Sequence, residues 1–233
     1  MPDNPDTLLV PVAPDLWELN APMTVLGMAL GHRLTVARLA DGSLWLHSPV
    51  AYSDALAAEL AALGPVGHIV APNYIHDTYL AGWLPRYPGI RFHAPPAFHK
   101  VFPQYRITDR LDETPHAAWA GLLDQHVIQG IPRLHEVVFL HRPSRTLIVA
   151  DLAFNLGSDM PLFSRLLLRL NGCYCRFTPS RMVKAVIADR RALRASLDRI
   201  LQWDFDRIIV SHGRNIATGG REALRTAFAF IPA

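Results

Sequence analysis

The stretch "TLIVADLAFN", Thr146–Asn155, is a short run of β-forming residues that stops on an aspartate. Runs of this length, rich in β-branched and aliphatic residues and bounded by turn signals, read as buried strands. Immediately upstream, "HEVVFLHR" (135–142) and the turn "PSR" (143–145) supply a second strand, so the segment reads as a pair ending at Asp151. An acidic side chain at the tip of an apolar strand is placed where loops present functional groups.

Downstream, "LAFNLGSDMPLFSRLLLRLNGCYCRFTPSRM" (152–182) is the least regular part of the chain. Within it "MPLFSRLLLRL" (160–170) is apolar on more than one face, which fits a buried helix, a lid over a pocket, or a surface touching lipid or a partner. Residues 189–203 then form the clearest helix, with Leu193, Leu197, Ile200 and Leu201 on one stripe. "FDRIIVSHG" (205–213) is a strand ending at His212, and "GGREALRTAFAFI" (219–231) is a closing helix.

Upstream, the first fifty residues alternate β-formers with turns: "LLVPV", "LWELNAP", "TVLGMALG", "LTVARLA" and "SLWLHSPV". Asp41-Gly42 between the last two is a hairpin signal, because glycine takes the positive φ of a tight turn. "SDALAAELAALG" (53–64) has Ser53 as N-cap and Gly64 as terminator of a helix. "HIVAP" is a strand, residues 77–86 predict a helix closed by "YPG", and "IRFHAP" and "DQHVIQG" are further strands. No linker, fixed-period repeat or low-complexity tract interrupts residues 1–233, so one domain of helix-covered sheets is expected.

Composition bounds the partners. Half the residues are apolar and 18% charged, and 23 Lys+Arg against 20 Asp+Glu is close to balance. The densest basic stretch, Arg190, Arg191, Arg194 and Arg199, is interrupted by Asp189 and Asp198 at helical spacing, a solvated face that predicts no nucleic-acid surface. Cys173 and Cys175 are too few for a disulfide framework and fit a reducing compartment. "MPDNPDTLLVPVAPDLW" has no secretory pattern and no run is long enough for a transmembrane segment, so a cytoplasmic protein is expected. No Gly-x-Ser-x-Gly elbow and no P-loop spacing occur.

Three strand ends carry residues that zinc and iron accept as ligands: "IVAPNYIHD" at His76 and Asp77, "LIVAD" at Asp151, and "IIVSHG" at His212. Each has an ordinary structural reading as well. His76 and Asp77 fit a helix start, where negative charge is favoured, while Asp151 could hold loop amides and His212 a turn. His47, at the end of "LWLHSP", could approach the same pocket, though an isolated histidine is more often structural.

The order of elements and the residues at these three ends resemble the metallo-β-lactamase superfamily over nearly the whole chain. More narrowly, "LWLHSPV", "APNYIHDTYLAGW" and "HEVVFLHRPSRTLIVADLAFN" look like an uncharacterised branch without the full ligand set. The resemblance implies an α+β fold, a four-layer αββα sandwich, with Asp151 as the metal-bridging aspartate and His212 on the last ligand strand. Placing Gly82 on the family's glycine puts His76 at the second histidine of the first ligand cluster. Tyr74, Thr78 and Tyr79 then stand where a histidine, an aspartate and another histidine belong, and Pro132 where a later histidine does. The motif is therefore degenerate. The expected site is mononuclear, one zinc or iron ion on His76, Asp151 and His212, with a fourth donor from His135, Glu136 or Asp77. In the hydrolase reading Asp77 is the proton shuttle and the substrate is small; in the alternative the cleft binds a ligand or protein without metal or catalysis.

Overall fold

The computed structural model describes residues 8–232. The first seven residues of the stretch read for a secretory pattern lie outside them, and among the described residues no helix is long and apolar enough to cross a membrane.

Two sheets form the centre. The first has seven strands in the spatial order Val10–Ala13, Leu16–Ala21, His32–Arg38, Leu44–His47, Val66–Val70, Arg91–Ala94 and Asp109–Arg110. The second has four, Leu123–Val127, Val137–His141, Thr146–Val149 and Arg207–Val210. The strand-level readings hold: Val137–His141 pairs antiparallel with Thr146–Val149, and the Asp41-Gly42 turn, with Gly42 at φ 84°, joins two antiparallel strands.

Alternation along each strand sends side chains to two different cores, as a pleat requires. Trp45, Val70, Val137, Phe139, Ile148 and Ile209 meet between the sheets. Leu44, Leu46 and Ile69 face the helix Asp54–Leu63 through Leu56 and Leu60. Val138, Leu147, Val149, Ile208 and Val210 face Leu193, Leu197 and Ile200 of Arg190–Leu201 and Leu224 of Gly220–Ala227. Three apolar layers between four structural layers are the αββα sandwich expected from the sequence. Trp45 is fully buried between the sheets, and its truncation to alanine would cost about 3–5 kcal/mol.

Local chemistry explains the helix ends. Ser53 Oγ accepts the Leu56 amide, and Asp189 caps Arg190–Leu201 by accepting the amides of Arg191 and Ala192. The helix expected over 77–86 is shorter, Leu80–Trp83 followed by a 3-10 turn at Leu84–Arg86. Residues 77–79 form instead a turn in which the Leu80 amide donates to the Asp77 carbonyl. "TVLGMALG" is a tight hairpin, Thr24–Val25 with Met28–Ala29, turning on Leu26 and Gly27. This arm docks on the helix Leu162–Leu170, where the Ala29 amide donates to Ser164 Oγ at 3.1 Å.

Candidate metal centre

Four strands that run parallel to a neighbour end at one place. Leu44–His47 and Val66–Val70 pair in parallel in the first sheet, as do Thr146–Val149 and Arg207–Val210 in the second. Their C-terminal continuations are Ser48, the loop of Asn73 and His76, Asp151, and His212. His32 opens an antiparallel strand at the same edge.

His76, Asp151 and His212 come together: one ligand-competent atom from each lies within 4.8 Å of the others. His76 Nε2 is 2.8 Å from Asp151 Oδ2, and His212 Nε2 is 3.3 Å from Asp151 Oδ1. All three are buried. The far side of each imidazole is anchored. His212 Nδ1 is 2.6 Å from the Gly31 carbonyl, which can only accept, so Nδ1 carries the proton. His76 Nδ1 bonds Ser48 Oγ, which is also 3.1 Å from His32 Nε2. A ring held at one nitrogen by an oxygen partner, with the other aimed at a common point, is the outer arrangement that orients histidine ligands. Two imidazoles and a carboxylate are also a donor set suited to zinc or to mononuclear iron, so these residues fit one ion.

The local sequence builds these positions. Asn73 Oδ1 accepts the Ile75 amide at 2.9 Å, a turn that carries His76 inward, while its Nδ2 donates to Asp151 Oδ2 at 2.8 Å and Glu136 Oε2 at 3.2 Å. Glu136 in turn accepts the amides of Ala150 and Asp151 at 2.8 and 2.7 Å, which fixes the strand end beneath the aspartate. Gly213, at φ 97°, passes so close to Asn155 that a Cβ would lie 2.3 Å from the Asn155 carbonyl oxygen. Glycine is therefore required directly after His212.

Electrostatics separates the two buried carboxyls. Burial acts to raise Asp151, but the His76 charge and the His212 hydrogen bond outweigh it and hold its pKa well below the ordinary range. Burial, reinforced by the Asp151 charge, pushes Glu136 up to about 8. For His212 burial acts downward, yet the hydrogen bond and charge of Asp151 win and raise it. Burial, with His76 and His212 nearby, lowers His32 to about 3, so this third ring is neutral.

Other expected residues lie elsewhere. His135 sits in a left-handed turn at φ 48° with its ring 5.2 Å from that of Tyr74, half-buried and outside the converging group. The next residue, Glu136, is the one directed inward, as a support for Asp151 and not as a member of the donor group. Asp77 is half-buried in the turn before Leu80, and while Ile75, His76 and Thr78 line the adjoining cleft, Asp77 does not. His47 is buried between the sheets, its ring 5.4 Å from Trp45. Cys173 and Cys175 are both free; Cys173 is buried and Cys175 exposed.

Residues the sequence reading missed are His32, Ser48 and Asn73. Ser48, at φ 56°, is the continuation of a fourth strand end, and that signal was present in "LWLHSP". The cleft itself holds about 360 Å³, with His32, His76, Asp151 and His212 at its polar end and walls of Met23, Met28, Phe154, Leu156 and Val183. Such a volume suits a small ligand.

Comparison with known structures agrees with this architecture. DIM-1 metallo-beta-lactamase exposed to ceftazidime is 14% identical, covers 96% of this chain and 97% of its own, and superposes with a TM-score of 0.66. The Pseudomonas aeruginosa metallo-beta-lactamase FIM-1 in its mono-zinc form gives 14% identity, 96% of each chain and a TM-score of 0.64. A metallo-beta-lactamase from Erythrobacter litoralis with beta-mercaptoethanol in the active site gives 14%, 95% of this chain, 96% of that one and 0.66. At such identities the likeness establishes a metallo-β-lactamase fold and no activity. No curated protein matches in sequence. Residues 14–171, more than half of the chain and including His32, His76 and Asp151, match the family described as "Domain of unknown function (DUF4336)", and the chain belongs to that family.

Proposed function

We propose that this protein is a metal-dependent hydrolase of a small substrate, with one zinc or iron ion held by His76, Asp151 and His212. The observation that carries the reading is the convergence of three donors from three strand ends, distant in sequence, at the polar end of a cleft. A bound ion would supply a water of lowered pKa for attack on an ester, amide or phosphoester. The chain's own residues do the rest. The Gly31 carbonyl fixes the proton of His212 on Nδ1 and leaves Nε2 facing the site. Asn73 and Glu136 hold the Asp151 carboxylate and its backbone. The apolar walls limit water and receive the non-reacting part of a substrate. One domain, a small-molecule substrate and no nucleic-acid partner belong to the same proposal.

A second reading, a metal-free binding protein, is favoured by one specific feature. The Pro49 carbonyl, 3.2 Å from His32 Nε2, calls for a proton on that nitrogen; Ser48 can then accept from His32 and donate to His76 Nδ1. That chain would leave His76 Nε2 protonated and donating to Asp151, closing the site with hydrogen bonds alone.

Elemental analysis of protein purified without added metal separates the two. Near-stoichiometric zinc or iron that disappears in a His76→Ala, His212→Ala double variant supports the hydrolase reading. Folded protein that stays metal-free in the presence of zinc and of iron overturns it in favour of the binding reading.

A further inference from the structure

The mouth of the cleft lies beside an apolar surface that the fold leaves uncovered. On the helix Leu162–Leu170, Ser164 and Leu168 face inward, whereas Leu162, Phe163, Leu166 and Leu170 are exposed, Leu162 at 79%. Next to it stands the tip of the arm. Leu26 is 75% exposed there and takes φ 49° in a two-residue turn with Gly27, whose added Cβ would lie 2.8 Å from Phe163. That turn position favours asparagine, aspartate or glycine, and a branched apolar residue is strained in it. This exposed leucine at a strained tip stands at the cleft mouth, whose lining it joins. Ile75 and Met182, both exposed, continue the apolar rim on the cleft wall itself.

Charge says what covers this face. Between Asp159 and Asp189 the chain carries Arg165, Arg169, Arg176, Arg181 and Lys184 and no acidic residue. None of these five cations lies within ion-pair distance of a carboxylate among the described residues, although the chain has many paired arginines elsewhere. Arg165 and Arg169 lie on the exposed helix, and the Arg181 amide donates to the carbonyl of Asn171 at the end of that helix. Arg169 and Lys184 rest on the rings of Tyr174 and Phe230 and Arg165 donates to the Met160 carbonyl, so their charges are held without being neutralised. An exposed apolar stripe flanked by such cations, with an apolar tip beside it, is the pattern of a surface seated at a lipid interface. A second copy of the chain would bring the same positive charge against itself. We propose that the face formed by Leu162–Leu170 and the Leu26 tip docks on an anionic lipid bilayer, so that the cleft opens at the membrane surface.

The test is flotation of the full chain with phosphatidylcholine vesicles, with and without phosphatidylglycerol, at low and high salt. Binding to the phosphatidylglycerol vesicles that weakens with salt is expected, with much weaker binding to phosphatidylcholine alone. Phe163→Asp with Leu166→Asp, both at exposed positions, should abolish binding while near-ultraviolet circular dichroism stays unchanged. Arg165→Gln, Arg169→Gln and Arg181→Gln together should weaken it about a hundredfold, from roughly fivefold for each cation near the surface. Chelator-treated protein should bind equally, because the face does not depend on the Asp151 site. Absence of binding to the anionic vesicles, equal binding to both vesicle types, or binding indifferent to both sets of substitutions overturns the proposal. So does a protein dimer that Phe163→Asp dissociates when the vesicles are not bound.

Discussion

Two regions of this molecule, one buried and one half-buried, each gather three imidazoles around an aspartate, yet they differ in what the nitrogens face. Around Asp151, the Nε2 atoms of His76 and His212 point at the same carboxylate and their Nδ1 atoms are held from behind by Ser48 and Gly31. Around Asp109, His68 Nδ1 spends itself on His93 Nε2 at 2.9 Å, and His116 touches both Asp109 and the Arg91 guanidinium. The three rings of that second group pack on Trp119 with centroids 4.7 to 5.6 Å away. An arginine already occupies the place of a positive charge there, so the group reads as packing. The lesson is that equal residue inventories do not make equal donor groups; the direction of the ring nitrogens separates them.

The comparison can be broken most decisively at the ligands. His76→Ala with His212→Ala should remove the metal from purified protein and, where a substrate is found, lower hydrolysis roughly a thousandfold. His68→Ala with His93→Ala should leave metal content, read by elemental analysis, unchanged. Loss of metal from the second pair instead would reverse the assignment of the two regions.

The two arginines offer the next test. Arg33 is almost fully buried, bonds the carbonyls of Val210 and Gly213 and the side chain of Asn215, and lies 3.3 Å from Glu18, so it locks the strand end before His212 to the first sheet. Arg33→Leu should cost about 3–5 kcal/mol by urea unfolding, because the half-buried Glu18 loses its cation and the Val210 and Gly213 carbonyls lose a donor. Arg91 is half-exposed and pairs with Asp109, so Arg91→Leu should cost under about 1 kcal/mol in the same measurement.

Smaller effects sharpen the outer shell. Ser48→Ala or Asn73→Ala should weaken metal affinity by ~10- to 100-fold in a competition titration with a chromophoric chelator, with secondary structure retained. Equal affinity in both variants would show that Ser48 and Asn73 do not orient the donors.

pH distinguishes the regions last. Burial, aided by His68 and His116, lowers His93 to about 2, well below the ~6.5 of an unfolded histidine. A lowered histidine contributes stability that is present above about 6.5 and lost as pH falls toward the folded value, because the unfolded chain binds the proton first. Going from pH 7 to pH 5 should therefore cost roughly 2 kcal/mol from this ring, and His93→Phe should flatten the slope of urea stability against pH by that amount. His212 runs the other way, its raised value contributing stability below about 6.5 that disappears at higher pH in metal-free protein.

Much of the framework was legible from local patterns. Asp41-Gly42 specified a hairpin, Ser53 a helix start, and "TLIVAD" and "IIVSHG" strands ending on Asp151 and His212, because turn chemistry and period-two alternation are encoded within a few residues. The misplacements have equally specific causes. His135 and Glu136 are neighbours, and a left-handed turn at His135 sends one ring outward and the next carboxylate inward. Asp77 follows His76, but the Asn73 turn and the late helix start at Leu80 bring only His76 into the group. His32 has no spacing to any ligand, and reaches the site only because its strand lies beside Leu44–His47.

By itself, then, the sequence determined which residues stand at strand ends and which faces of the strands are apolar. The tertiary structure alone decided which ring nitrogens meet and what holds them there. The physical reason is distance along the chain: alternation is set by immediate neighbours, whereas the tautomer and aim of His212 depend on the Gly31 carbonyl 181 residues away.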